Sequence, residues 1–290
     1  MADEITWASI EGDYGYDYRL LGQSLISALY ENSAPIMPFL NKKSLAGFPS
    51  DSERFPKAPA LAAAALTDGT DMANTAYSPS NVTLTVGEVG LMLTVTDLSN
   101  LSSLHDLAQY GAEAGQAVAE KLMTDIAALG GAFSTVVGST TVALTEQQFR
   151  DAKTTLIVKK IPGPYFSLLY PQQVNHLETS IGSTISAAAN TGATARAETN
   201  DLSMGPARDA GVLFNVRILA STLVPTANAG ADSAGCMAGA QRALGYVEKW
   251  AIRPEMERDA SLRGTEVVAT AAYAVGELDD ASGVAIITDR

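Results

Sequence analysis

The sequence holds one cysteine, Cys236, among 290 residues. A single thiol excludes an intrachain disulfide, and without a CxxC pair there is no cysteine framework for zinc. Cys236 sits in a Gly/Ala/Ser-rich stretch and reads as an unpaired small apolar residue. Histidine is almost as scarce, with only His105 and His176. Neither stands at the spacing of an HExxH motif, and a lone histidine on a helix surface is far more often solvated or capping than catalytic. GxSxG elbows, GxxxxGK[ST] loops and GxGxxG fingerprints are missing as well. Charged residues make up 18% and are lopsided, with 19 Lys and Arg against 32 Asp and Glu, for a net charge of -13. Too little positive charge is present to displace counterions from phosphate, so sequence-independent nucleic-acid binding is disfavoured. The start, "MADEITW", lacks the basic region and apolar run of a signal peptide, and no window of about 20 residues is apolar enough to span a bilayer. A soluble protein made in a cytoplasm, with no membrane partner, is the expectation.

The carboxylate pairs Asp68/Asp71 and Asp279/Asp280 fall in turn-like sequence, where such groups usually serve turn chemistry or solvation. No residue is nominated as catalytic, cofactor-binding or metal-ligating, and no cofactor is implied. The low charge fraction suggests instead that part of the surface is covered, because interfaces lose charged residues at their centres.

Hydrophobic residues reach 47%, enough for a sizeable core in one large domain or two moderate ones. Residues 18–31, "YRLLGQSLISALYE", place Leu20, Leu21, Leu25, Ala28 and Leu29 on one face of a short amphipathic helix. Residues 33–80 carry Pro35, Pro38, Pro49, Pro56, Pro59 and Pro79 and show no lasting period. So long a structureless stretch reads as an extended arm or projecting loop held by contacts elsewhere, and Phe39, Phe48, Phe55 and Leu61 argue against full solvation. Residues 81–96 form the clearest strand. Val82, Leu84 and Val86 alternate with polar residues, and after Gly87 the phase flips to Val89, Leu91, Leu93 and Val95, which suggests a bulge or bend.

Residues 103–129 form the clearest helix, roughly 40 Å long and about twice the usual length. Ser103 is its expected N-cap with Asp106 in the first turn, and Gly130-Gly131 ends it. Thr145 and Gln148 make a capping-box pattern for a second helix with Phe149, Ala152 and Leu156 inward. In "GPYFSLLYPQQVNHL" (163–177) a buried strand runs into a helix whose first turn suits Pro171. Residues 186–210 read as a loop, 211–221 as one strand, and 226–239 as a mobile loop. Arg253, Glu255, Glu257, Arg258, Asp259 and Arg263 give residues 253–264 alternating charge. Two final strands, "EVVATAAYAV" and "GVAIITD", are joined by "GELDDAS" as a hairpin-like turn. Without regular βα alternation the chain reads as α+β. An arm, a long loop and a long helix without chemistry are features of a protein that contacts copies of itself.

These segments, in order, resemble the major capsid proteins of tailed bacteriophages with the Hong Kong 97-type fold. "NVTLTVGEVGLMLTVTDLS" is similar to the family's long strand leaving an extended loop. "LHDLAQYGAEAGQAVAEKLMTDIAALGG" resembles its spine helix, "TEQQFRDAKTTL" the next helix, and "GPYFSLLYPQQVNHL" its strand–proline–helix junction. "GVLFNVRILASTLVP", "AGAQRALGYVEKWAI" and "VVATAAYAVGELDDASGVAIITD" resemble the segments that follow. The resemblance implies an N-terminal arm at 1–35 and an extended loop at 36–95. It implies a peripheral domain at 96–162 plus 250–275 with spine helix 103–129, an axial domain at 163–249, and a C-terminal strand at 276–290. The 226–239 loop would face the symmetry axis.

By the same resemblance the protein is not an enzyme. Copies would assemble in the host bacterial cytoplasm into hexamers and pentamers of a virion capsid that encloses double-stranded DNA without sequence-specific binding. A portal and a separate scaffolding protein are implied partners, since there is no room before the arm for a fused scaffolding segment; a decoration protein stays open. Phe39, Phe48, Phe55 and Leu61 become inter-subunit contact candidates, as do the charged residues Arg253, Glu255, Glu257, Arg258 and Arg263. Lys42, Lys43 and Lys57 are the loop lysines available for the intersubunit crosslink that some members form, though nothing marks them out. An encapsulin-like nanocompartment shell, which shares the fold, and an unrelated α+β enzyme are the alternatives.

Overall fold

The computed structural model describes residues 36–97, except 60, 64, 67, 70 and 73, together with 107–190 and 209–290. The arm at 1–35 with its amphipathic segment, the Ser103 cap with Asp106, and His105 lie outside the described residues. A single 3-10 turn at Met37–Phe39 leads into β1 (Asn41–Ser44) and β2 (Ser52–Lys57). Two strands thus occupy a region where no period was legible. Both are short, and β2 carries Pro56, which a strand tolerates at an edge. Next come β3 (Ser80–Thr85) and β4 (Gly87–Thr96). The phase change at Gly87 is a full break, because β3 pairs with β2 while β4 lies in another sheet. Helix α1 (Leu107–Gly131) runs through Gly130-Gly131 instead of ending before them. After β5 (Val136–Val137) comes α2 (Glu146–Val158). Its capping box forms as expected: Gln148 N donates to Thr145 Oγ1 at 3.3 Å and Thr145 N to Gln148 Oε1 at 3.0 Å. Phe149, Ala152 and Leu156 are fully buried.

Strand β6 (Tyr165–Leu169) is buried at every position and runs into α3 (Pro171–Asn190), which continues through 186–190 where small residues suggested a loop. Residues 211–221 are not one strand. They complete a hairpin of β7 (Asp209–Leu213) and β8 (Val216–Ala220), turned by Phe214 and Asn215 at φ 51 and 61. Two successive left-handed residues make the primed turn that suits strand twist; Phe in the first position hid the signal. After β9 (Thr226–Ala227) the expected mobile loop at 226–239 is overturned most clearly. Its greater part is β10 (Asp232–Gly239), buried at all positions. The chain ends with β11 (Leu244–Asp259), β12 (Gly264–Glu277) and β13 (Gly283–Asp289).

Among the described residues the strands form three sheets. The seven-stranded sheet runs β5-β13-β10-β6-β8-β7 with β9 beside β10; the four-stranded sheet runs β1-β11-β12-β4; β2 and β3 form a separate hairpin. The expected hairpin of β12 and β13 does not exist. Their connection crosses between sheets, so β12 pairs with β11 and β4, and β13 with β10 and β5.

The two faces of β10 explain its composition. Cys236 and Ala238 join the cluster formed by Val118, Leu122, Met123 and Ile126 of α1, while Met237 joins Phe149, Leu156, Val174 and Leu177 of α2 and α3. The α1 side is tight. A Cβ on Gly130 would sit 2.5 Å from Cys236 Sγ, and one on Gly131 would sit 3.1 Å from Ala234 Cβ. Small residues are therefore a packing requirement and not a mark of mobility. Ala269, Ala271 and Tyr273 of β12 belong to the same cluster, and Tyr273 Oη donates to Asp125 Oδ2 of α1 at 3.0 Å. The spine helix thus lies on both large sheets.

Replacing Gly130 by Ala adds helix propensity worth about 1 kcal/mol but drives a methyl group onto the Cys236 thiol. The crowding is expected to win, with a net loss of about 1 kcal/mol in urea denaturation. In a Cys236→Ala background the same substitution should be neutral or stabilising. Equal losses in both backgrounds would show that the helix does not rest on that thiol.

Candidate assembly surfaces

Among the described residues no group of three or more His, Cys, Asp or Glu is placed to hold a metal ion. Burial pushes the Cys236 thiol up to about 12, which leaves it protonated and unreactive. His176 is half-buried on α3 and its Nδ1 finds no hydrogen-bond partner among the described residues. An open groove of about 550 Å³ is lined by Lys43, Phe55, Lys57, Ile161, Arg242 and Asp279. Two of its cations are already paired: Lys43 bonds Glu53 at 2.6 Å and lies 4.5 Å over the Phe55 ring, and Lys57 bonds Asp279. Of the three loop lysines, only Lys42 is exposed without an ion pair among the described residues. The groove is the seam between the β2–β3 hairpin and the body, and its one lining hydroxyl, Ser282, is buried and donates to Asp279 Oδ2.

Carboxylates organise that seam. Burial alone raises the Asp279 carboxyl, but hydrogen bonds from Lys57 and Ser282 and the Lys57 charge outweigh it and hold it below the usual range. Asp280 is held low by hydrogen bonds from the Ser134 hydroxyl and backbone N–H. Both residues act as turn and linker anchors. Glu277 is pushed the other way, by burial first and then by the neighbouring charges of Asp280 and Asp279.

The four apolar candidates separate into two kinds. Phe55 is 4% exposed and packs with Leu45, Leu84 and Val247 in a small core of its own. Phe39 stacks on Phe166 with ring centroids 5.0 Å apart. These two side chains pack within their own chain. Phe48 and Leu61 are each 63% exposed. Sequence reasoning missed three further residues between β2 and β3, namely Leu66, Met72 and Tyr77, all more than half exposed. The one signal that pointed to them was a run of apolar residues with no period.

The charged segment is the distal part of the β11–β12 hairpin. The two ends of its alternation are used locally. Arg253 lies 4.6 Å over the Trp250 ring. Arg258 forks onto Asp97 at 2.6 and 2.7 Å, and its hydrogen bond pulls that carboxyl below its ordinary value. Arg263 takes φ 51 in the turn, which the Asp259 carboxylate closes by accepting from Ser261 N and Leu262 N. Glu257 stands opposite Glu266 in register and Glu255 opposite Val268. Glu255, Glu257 and Met92 are exposed, so this face of the sheet is acidic with an apolar centre.

No family model matches the chain, and no curated protein matches it. Solved structures do. The capsid of cyanophage P-SCSP1u aligns over 88% of this chain and 88% of its own, at 15% identity and a TM-score of 0.62. A structure of Mycobacterium phage Che8 aligns over 87% and 90%, at 17% identity and a TM-score of 0.67. The capsid of cyanophage Pam1 aligns over 89% and 92%, at 14% identity and a TM-score of 0.64. The fold is therefore the α+β, Hong Kong 97-type capsid fold that the sequence resembled.

Glu277 titrates higher in the folded chain than in the unfolded one, so its ionisation opposes folding. Its contribution is present below the unfolded pKa and lost as pH rises through the folded one. Glu277→Gln is expected to raise the melting temperature at neutral pH, with the gain fading as pH is lowered through the carboxylate range. Asp279→Asn should lower it at neutral pH, with the loss fading over the same range. A pH-independent shift for both variants would refute the electrostatic account.

Proposed function

We propose that this chain is the major capsid protein of a tailed bacteriophage, a structural protein and not an enzyme, whose copies close into an icosahedral shell of hexamers and pentamers around double-stranded DNA. The observation that carries this reading is the likeness of fold to phage capsids over almost the whole of both chains. The exposed apolar string between β2 and β3 supports it. Leu61, Leu66, Met72 and Tyr77 all stand exposed on this one connection, which fits a segment that lies against another molecule. On this reading the string lies across a neighbouring copy, with Phe48 beside it and the arm at 1–35 reaching another. Each contact of standard size buries roughly 1,600 Å², and many modest contacts act together. The net charge of -13 limits adhesion to packaged DNA.

The domain division follows the sheets. The β2–β3 hairpin is the extended loop, the four-stranded sheet with α1 the peripheral part, and the seven-stranded sheet the axial part. Helix α2 and β13 pack in and on the seven-stranded sheet, so the axial part takes them from the peripheral and C-terminal segments. Glu255, Glu257 and their acidic face meet a basic surface of a neighbour. A separate scaffolding protein and a portal complete the assembly in the host bacterial cytoplasm. No observation favours the nanocompartment or enzyme alternatives.

Sedimentation and negative-stain microscopy test the reading. About 60 copies of a 30.2 kDa chain make the smallest closed icosahedral shell, about 1.8 MDa. Closed particles at or above that mass are expected when the gene neighbours are co-expressed, and a monomer in every condition would refute the reading. Deleting residues 1–35, or replacing Leu66 and Met72 by Asp, should abolish shells while the chain still unfolds in one cooperative thermal transition. Intact shells from either variant would remove that segment from the contact.

A further inference from the structure

Asp232 begins β10 and is fully buried. Its Oδ1 accepts a hydrogen bond from Thr141 N at 2.9 Å, whereas Oδ2, equally buried, meets no donor among the described residues. Its register partner is Asp289, at the end of β13. Residues opposite one another on antiparallel strands point to the same face, with Cβ atoms about 4.5–5.5 Å apart. Two carboxylate side chains therefore stand on one face at this sheet end. Neither belongs to an ion pair among the described residues. The nearest cation along the chain, Arg290, is turned elsewhere: its guanidinium lies 4.6 Å over the Tyr170 ring, with Nη2 3.4 Å from Tyr170 Oη. Among the described residues Asp289 Oδ1 accepts only the backbone N–H of Arg290, at 3.1 Å.

A buried carboxylate oxygen without donor or cation is strongly disfavoured, and a second carboxylate opposite adds repulsion. We propose that Asp232 and Asp289 bind one hard divalent cation of the calcium type. The donor set is oxygen only, which suits calcium, and calcium tolerates irregular geometry completed by backbone carbonyls and water. The 138–142 loop bends over the pair, with Thr141 bonded to Asp232 and Val142 O accepting from Asp289 N at 2.9 Å. One ion would thus tie β10, β13 and that loop together at the end of the seven-stranded sheet. Two carboxylates place the affinity at the weak end of the calcium range, about 10⁻⁴–10⁻³ M. The inference does not rest on the capsid reading, since it concerns one chain.

The test is calorimetric titration of the purified full chain with calcium chloride after chelator treatment, paired with melting curves. One calcium per chain is expected, with a higher melting temperature in its presence, and both effects should be lost in Asp289→Asn and in Asp232→Asn. Asp289 is half-buried, so its variant keeps the test usable where the Asp232 variant fails to fold. No calcium uptake by the wild-type chain would overturn the proposal. Unchanged uptake in Asp289→Asn would also overturn it, by placing the ion elsewhere.

Discussion

The close approach of α1 to β10 is the constraint on which the rest of the structure depends. A long helix can lie on a sheet strand at this distance only if both surfaces are nearly bare. Gly130 and Gly131 supply one surface, and Ala234, Cys236 and Ala238 the other. Once the helix is seated there, its remaining apolar residues meet Ala269, Ala271 and Tyr273 of the four-stranded sheet. Two sheets that share few direct contacts are thereby joined through one helix. The same economy of size recurs at Gly283, where a Cβ would lie 2.3 Å from the Phe133 ring just beyond the end of α1.

One polar side chain inside this core is matched at both its nitrogen and its oxygen. Gln173, in the first turn of α3, is fully buried. Its Nε2 donates to Ser233 O at 2.9 Å and Thr288 Oγ1 at 2.8 Å, while its Oε1 accepts from Tyr170 N at 3.0 Å. One amide thus ties the strand–proline–helix junction to β10 and β13. The amide holds the start of α3 against the sheet. Buried polar groups satisfied in this way favour one arrangement over its neighbours.

Surface groups divide by the same principle. Lys43, Lys57 and Arg258 pair within the chain, and Arg253 lies on its own tryptophan. The exposed surface that these pairs leave unused includes an apolar string between β2 and β3 and an acidic face on the β11–β12–β4 sheet. Surface ion pairs contribute little to stability, so the intrachain pairs chiefly decide which charges remain free for other molecules. Phe55 and Phe48 illustrate the limit of sequence reading. Both are aromatic residues in the same proline-rich region, yet one closes a small core and the other stands in solvent. No local pattern separates them, because the difference lies in Leu84 and Val247 arriving from distant strands.

Local interactions were decided within the sequence itself. The Thr145–Gln148 capping box, the helical spacing of Phe149, Ala152 and Leu156, the buried run of β6 and the phase change at Gly87 each depend on neighbours a few residues away, and each is legible. So was the α+β class, through the order of these elements. Strand partners and the use of small residues were decided only by the tertiary structure. A run such as "DSAGCMAG" has the composition of a flexible loop when read alone. It becomes a central strand because helix α1, more than a hundred residues earlier in the chain, leaves room for nothing larger. Backbone pairing and close packing join residues far apart in sequence, and their geometry exists only once the chain has folded around them.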